Sequence, residues 1–333
     1  MLRKLIWFQL LFAIKFASAS HFQCLPYPID SVCILEHISY HSGDLVTFPT
    51  GYQQYHIRYP RSRKEYHSNV TIFDETLYEA MHRPLRIEME RVFLTELTLP
   101  AELMMGNFAA NQVRSVNVSR KMNYQITYLD LAQNSLTNID FVSSLVNLEI
   151  LHLEYNRIGI IPGSTLSPLT KLKYLYLIRN FFAVISWNSL PASLIHLDYS
   201  FCFAETIEFT NVSLPSLEYL NIQFNSFSTI NVTALLRAAP SLKLVYLYNS
   251  NINQSRMHEI KAELAANNVT FVENYEREYC YYQEDYKYED GKCIQVYNVP
   301  ISIRKAVLLT SVVIGVAVLL MYLTWLVFRH MNR

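Results

Sequence analysis

The chain has 333 residues, with 28 lysines and arginines against 28 aspartates and glutamates, so it offers no net charge to nucleic acid or any other polyanion. Hydrophobic residues make up 51% of it, including 24 tyrosines and 18 phenylalanines, enough for a long core and an aromatic surface besides.

At the amino terminus Arg3-Lys4, the apolar run Leu5 to Ile14 and Ala17-Ser18-Ala19 form a charged start, a short apolar stretch and a small-residue cleavage site. That order predicts a signal peptide over residues 1–19; an uncleaved anchor, given the interruption at Lys15, is the other reading. Residues 20–91 are weakly patterned and read as an amino-terminal cap, with a strand expected at Val70-Thr71-Ile72-Phe73. His37 and His41 sit four apart, but the chain has no HExxH motif, so no metal site is expected.

Repeats are expected over 92–252. Val92-x-Leu94 and Val116-x-Val118, 24 residues apart, read as two degenerate strands, yet only 13 residues separate Val116 from Leu129, too few for a full repeat. The register between 92 and 126 therefore stays open. From Ile126 it is clear: Ile126-x-x-Leu129-x-Leu131-x-x-Asn134-x-Leu136 is followed by Leu148-x-x-Leu151-x-Leu153-x-x-Asn156-x-Ile158. Four more copies begin at Leu172, Leu194, Leu217 and Leu242 and put Asn180, Cys202, Asn225 and Ser250 in the asparagine slot. Successive slots lie 22, 24, 22, 23 and 25 residues apart, the period of a solenoid.

These residues resemble the leucine-rich repeat family, whose motif is L-x-x-L-x-L-x-x-N/C-x-L. The resemblance implies an α/β solenoid, a curved right-handed coil whose parallel strands line a concave face. The alternation in L-x-L sends Leu129 and Leu131 inward and Tyr128 and Asp130 outward. The polar residue after it answers backbone groups that the dry turn leaves unpaired.

Beyond Ile252 the good helix formers from Arg256 to Leu264, with Ile260 and Leu264 four apart, predict a helix, and Val269 to Val272 a final strand. Residues 253–300 read as the carboxy-terminal cap and juxtamembrane segment. The 23 uncharged residues 306–328 span about 34 Å as a helix and predict one transmembrane pass. The signal peptide orients it, with the ectodomain outside and residues 329–333 as a cytoplasmic tail too short for a signalling domain; replacement of the tail by a lipid anchor is the rival. The expected location is the plasma membrane, as a single-pass type I protein.

Strands stacked about 4.8 Å apart hold the two flanks tens of ångströms from each other, beyond the about 7 Å limit of a bridge. The expected disulfides are therefore Cys24–Cys33 and Cys280–Cys293, closing the two end caps, with Cys202 a buried thiol in its asparagine slot. Asn69, Asn117, Asn211, Asn231, Asn253 and Asn268 each open an N-glycosylation sequon. If Val116-Asn117-Val118 is a repeat strand, a glycan on Asn117 stands on the concave face.

That face is the expected protein-binding surface. It collects Tyr128, Asp130, His152, Glu154, Tyr174, Tyr176, His196, Asp198, Tyr219, Asn221, Tyr246 and Tyr248. Six strands give about 25 Å of stack, the scale of a protein footprint rather than a small-molecule pocket. Tyr174, Tyr176, Tyr219, Tyr246 and Tyr248 form the expected contact patch, since tyrosine suits binding hot spots; strands also favour tyrosine on their own account. Asp130, His152 and Asp198 share a column, but no nucleophile elbow, phosphate loop or zinc set accompanies them. Neither catalysis nor a cofactor is expected.

The order of these parts looks like the membrane-bound members of the insect leucine-rich-repeat immune proteins. That resemblance implies pathogen or complement-like protein recognition in innate immunity; the expected partner is an extracellular protein or glycan-bearing ligand, and the short tail leaves any signal to a co-receptor chain. A cell-adhesion or guidance protein and an accessory receptor subunit are the alternatives.

Overall fold

A computed structural model of the chain describes residues 19–25, 31–58, 68–182, 186–248, 250–272, 286–289 and 292–295. The expected signal peptide up to residue 18, the apolar run 306–328, the tail 329–333 and the Cys280 half of the second disulfide lie outside them. The chain divides into two units, Met1–Glu273 and Asn274–Arg333; in the second, Tyr286–Glu289 pairs antiparallel with Lys292–Gln295.

The first unit is a solenoid. Eleven short strands pair in parallel in chain order: Val32–Leu35, Gln54–Ile57, Arg86–Met89, Met105–Asn107, Tyr128–Asp130, Ile150–His152, Tyr174–Tyr176, His196–Asp198, Tyr219–Asn221, Leu244–Tyr246 and Thr270–Val272. Their register puts Cys33, Tyr55, Ile87, Gly106, Leu129, Leu151, Leu175, Leu197, Leu220 and Val245 in one row. Leu131, Leu153, Leu177, Tyr199 and Ile222, two positions on from the strand centres, are fully buried as well. The hydrocarbon rows are continuous, so each coil buries its apolar side against its neighbours.

Between strands the chain returns by short, differing pieces: 3-10 turns at Asp140–Ser144 and Trp187–Ser189, and helices at Gly163–Leu166, Val232–Ala238 and Gln254–Ala266. The last of these covers the helix expected at 256–264 and buries Ile260 and Leu264. Asn231 and Asn253 cap two of the helices, their Oδ1 atoms accepting from Ala234 N and Arg256 N at 2.9 Å.

The asparagine slots hold the coils together. Asn156 Nδ2 donates to Leu131 O at 2.8 Å and Leu153 O at 3.0 Å, while its Oδ1 accepts from Leu136 N at 3.0 Å. Asn134, Asn180 and Asn225 repeat the pattern. Cys202 donates its thiol to Leu177 O at 3.3 Å and Ser200 O at 3.2 Å. Ser250 does not bridge: its hydroxyl is buried and has no partner among the described residues. The residue before the slot turns left-handed in Ala110, Gln133, Tyr155, Arg179, Phe201 and Phe224, with φ between 53° and 55°. That costs a non-glycine residue about 1 kcal/mol and is held by the ladder.

Two expectations change. The sheet does not begin at 92. Three strands within the span read as a cap, Val32–Leu35, Gln54–Ile57 and Arg86–Met89, belong to it. The lid proper is the segment at residues 19–25, whose Leu25 N donates to Ile34 O at 2.8 Å across the first strand's free edge. The Cys24–Cys33 disulfide, with Cα atoms 5.0 Å apart, fastens it there. The second change concerns register. Val92 and Leu94 are not a strand: their N–H groups donate to Asn111 Oδ1 at 2.9 and 3.2 Å, which puts Val92 in a ladder slot. Val116 belongs to a separate parallel sheet of Ile72–Phe73, Glu96–Thr98 and Ser115–Asn117. The 13-residue gap to Leu129 joins two different sheets. The strand that precedes Tyr128–Asp130 in the main sheet is Met105–Asn107.

Candidate functional site

The outward side chains of the main sheet follow from its pairing. Asp130, His152, Tyr176, Asp198, Asn221 and Tyr246 stand in register, and Tyr128, Ile150, Tyr174, His196, Tyr219 and Leu244 form the column beside them. Strands under 5 Å apart force their rings together. Tyr128 and His152 lie 5.6 Å apart, His152 stacks on Tyr176 at 4.3 Å, and Tyr176 reaches His196 at 4.9 Å. His196 stacks on Tyr219 at 3.8 Å and Tyr219 meets Tyr246 at 5.3 Å. Six rings from six neighbouring strands thus form one zigzag across the face.

The face is not uniformly accessible. Tyr128, Tyr174, Tyr176, His196 and Tyr219 are half-buried, and Tyr248 is 43% exposed. Tyr246 is only 5% exposed, and Asp198, Asn221 and Gln223 are buried. These buried members build the floor: Asp198 Oδ1 accepts from Ser200 N and Oγ, and Asn221 Nδ2 donates to Asp198 Oδ2 at 2.8 Å. Asp198 therefore serves the floor's hydrogen bonds, and the column Asp130, His152 and Asp198 does not act as one group.

His152 turns instead to Glu154, with Nδ1 2.8 Å from Oε1. Burial opposes a charge on His152, but the hydrogen bond to Glu154 and the charges of Glu154 and Asp130 outweigh it and raise its pKa. Burial raises Asp130 and Glu154; the charge of Glu90 adds to the first and that of Asp130 to the second. His196, two strands along, has no such partner among the described residues; burial and then the His152 charge push it down to about 4.

Beside the strand face runs a rim, set by the left-handed residues that aim their side chains outward. Arg179 lies over Tyr155 at 5.3 Å and over Phe201 at 4.5 Å, Phe201 stacks on Phe224 at 4.2 Å, and Phe224 meets Tyr248 edge-on at 5.4 Å. Phe181 and Phe203, 57% and 61% exposed, stack beside them at 6.1 Å. Sequence reading missed this rim, although the position before each asparagine slot was there to be compared.

It also missed Asn111, whose Nδ2 donates to Met89 O at 2.7 Å and which completes Leu103-x-x-Gly106-x-Phe108-x-x-Asn111-x-Val113. Glycine at a leucine position concealed that copy. A Cβ on Gly106 would stand 2.7 Å from Phe108 Cε2, so the ring takes the space a leucine fills elsewhere.

Of the sequons, Asn117, Asn211, Asn231, Asn253 and Asn268 carry exposed asparagines and Asn69 is half-buried. Asn117 is not on the outward face of the main sheet: it ends a strand of the separate three-stranded sheet and lines a cleft of about 820 Å³ with Thr98, Arg120 and Phe141.

Residues 124–182 match the leucine rich repeat family model. Among solved structures the chain is similar to a leucine-rich repeat protein of Leptospira interrogans, at 18% identity and a TM-score of 0.42, over 57% of this chain and 54% of that one. It is similar to the functional domain of InlJ from Listeria monocytogenes, described as including a cysteine ladder, at 18% identity, a TM-score of 0.39, and 60% and 50% coverage. An internalin, inlF, of Listeria monocytogenes gives 16% identity, a TM-score of 0.40, and 66% and 54% coverage. The chain spans about half the length of these solved chains. No curated protein matches the sequence.

Proposed function

We propose that this chain of leucine-rich repeats is a binding module that takes an extracellular protein ligand on the outward face of its parallel sheet. The observation that carries the reading is the ring zigzag from Tyr128 to Tyr246, which offers contact area with polar tips over six strands. Its rings are held by neighbours before any ligand arrives, so little side-chain entropy remains to be lost on binding. The exposed pair Phe181 and Phe203 extends the contact over the rim.

We place the module at the plasma membrane, held by the apolar run 306–328 and delivered by the segment 1–19, and N-glycosylated on its sequons. Recognition of a pathogen or host protein in innate immunity is our preferred role; adhesion or guidance, or service as an accessory receptor subunit, uses the same face. The test is affinity capture from cell-surface and extracellular fractions with the full chain and with Tyr176→Ala and Tyr219→Ala. Both variants should keep the parent's unfolding midpoint within a few degrees and lose at least tenfold in captured ligand. Capture unchanged in both would move the site off this face.

A further inference from the structure

At the amino-terminal half of the face, Asp130, Glu154 of the next coil and Glu88, two coils back across Met105–Asn107, bear on Tyr128, and Glu90 bears on Asp130. Elsewhere three carboxylates are met by a lysine or arginine of another strand's coil: Glu36 by Arg58 at 2.6 Å, Glu149 by Lys173 at 2.7 Å, Glu218 by Lys243 at 2.8 Å. Here the partners are histidines and neutral groups. Among the described residues, Glu88 is met by Gln54 at 2.7 Å and His56 at 3.6 Å, Glu90 by Asn107 at 2.6 Å, and Asp130 by Ala132 N and the Tyr128 hydroxyl. None has a lysine or arginine.

Glu154 supplies an independent sign of something missing. It is 6% exposed, and while Oε1 is held by His152, the buried Oε2 has no hydrogen-bond partner among the described residues. An orphaned carboxylate oxygen is costly to bury unless a donor reaches it. The aromatic surroundings narrow the choice of donor. His152 is stacked face to face on Tyr176 at 4.3 Å, while Tyr128, tilted against His152 at 5.6 Å, ends the run of rings beside the carboxylates. A guanidinium is planar, weakly hydrated, stacks on such rings and fits carboxylates two donors at a time, whereas an ammonium is a compact, strongly hydrated point charge.

We infer that this acidic part of the face receives an arginine side chain of the protein ligand, seated against Tyr128 and bonded to Asp130 and Glu154, with Glu90 and Glu88 attracting it. The inference rests on the strand-face reading above and specifies the chemistry of its partner.

The probe is acetylated tetra-arginine amide, titrated calorimetrically into the purified full chain, with tetralysine and tetracitrulline as comparisons. Saturable binding of tetra-arginine, at least tenfold weaker tetralysine and silent tetracitrulline are expected. The double variant Asp130→Asn with Glu154→Gln should lose at least tenfold in tetra-arginine affinity, and Glu90→Gln, which leaves Asp130 and Glu154 intact, severalfold. Both substitutions are near-isosteric, so an unchanged thermal midpoint shows that folding is not the cause. No saturable heat, equal affinity for tetralysine, or equal affinity in the folded double variant overturns the inference. If that happens while Tyr176→Ala and Tyr219→Ala still abolish ligand capture, the arginine site falls and the strand face stands; capture that survives those two variants removes the face itself.

Discussion

A single asparagine in a coil does what no leucine can. At Asn156 one side chain answers the carbonyls of Leu131 and Leu153 and the N–H of Leu136, all in a turn closed to water. Asn156→Ala strands these groups together, and at 1–3 kcal/mol for each unmet buried partner the loss is about 3 kcal/mol or more, read as a lowered urea midpoint. Cys202 shows the slot's tolerance, since a thiol reaches two of the carbonyls. Burial pushes that thiol's pKa far up, so iodoacetamide should leave Cys202 unlabelled in the native protein and modify it once the chain is unfolded. Labelling at equal rates in both states would contradict the buried position.

Among the elements, the edge strand Val32–Leu35 has the hardest task, because a free parallel edge invites pairing with another chain. Residues 19–25 cover it and the Cys24–Cys33 bond keeps them there. Closing a loop of about ten residues constrains the unfolded chain by about 2.5 kcal/mol, so Cys24→Ser with Cys33→Ser should lower the unfolding free energy by that order and increase self-association at high concentration. The strand Met105–Asn107 is the irregular one, its centre emptied of a side chain to admit Phe108. Gly106→Ala should destabilise the solenoid, since the buried Phe108 ring has to move to admit a Cβ; denaturation at the parent's midpoint would show that the ring gives way freely.

Over the whole molecule, the face couples stability to pH. His196 is pushed from 6.5 to about 4, so between those values the unfolded state binds the extra proton. Its contribution is present above 6.5 and is lost as pH falls towards 4. His152, Asp130 and Glu154 are all raised and act the other way, because there the folded state holds protons the unfolded state releases. The difference between two proteins isolates the first effect: from pH 7 to 4.5 the parent's thermal midpoint should fall further than that of His196→Gln. Equal losses would remove His196 from the account.

What the sequence determined by itself is the repeat from Ile126 onward, its inward and outward columns and the first disulfide, because period-two strands and a polar slot leave few residue types able to serve. The same reading stopped at 126, since Gly106, Ile87 and Tyr55 replace leucine in the earlier coils and a second sheet interleaves with the first. Burial, too, was beyond it: Asp198, Asn221 and Tyr246 point outward by alternation and are nonetheless buried. Only the tertiary structure decided which rings touch, which carboxylates go without a cation and that aromatic residues line the rim. Those depend on side chains from coils some 22 residues apart meeting in space, a distance over which no local pattern carries information.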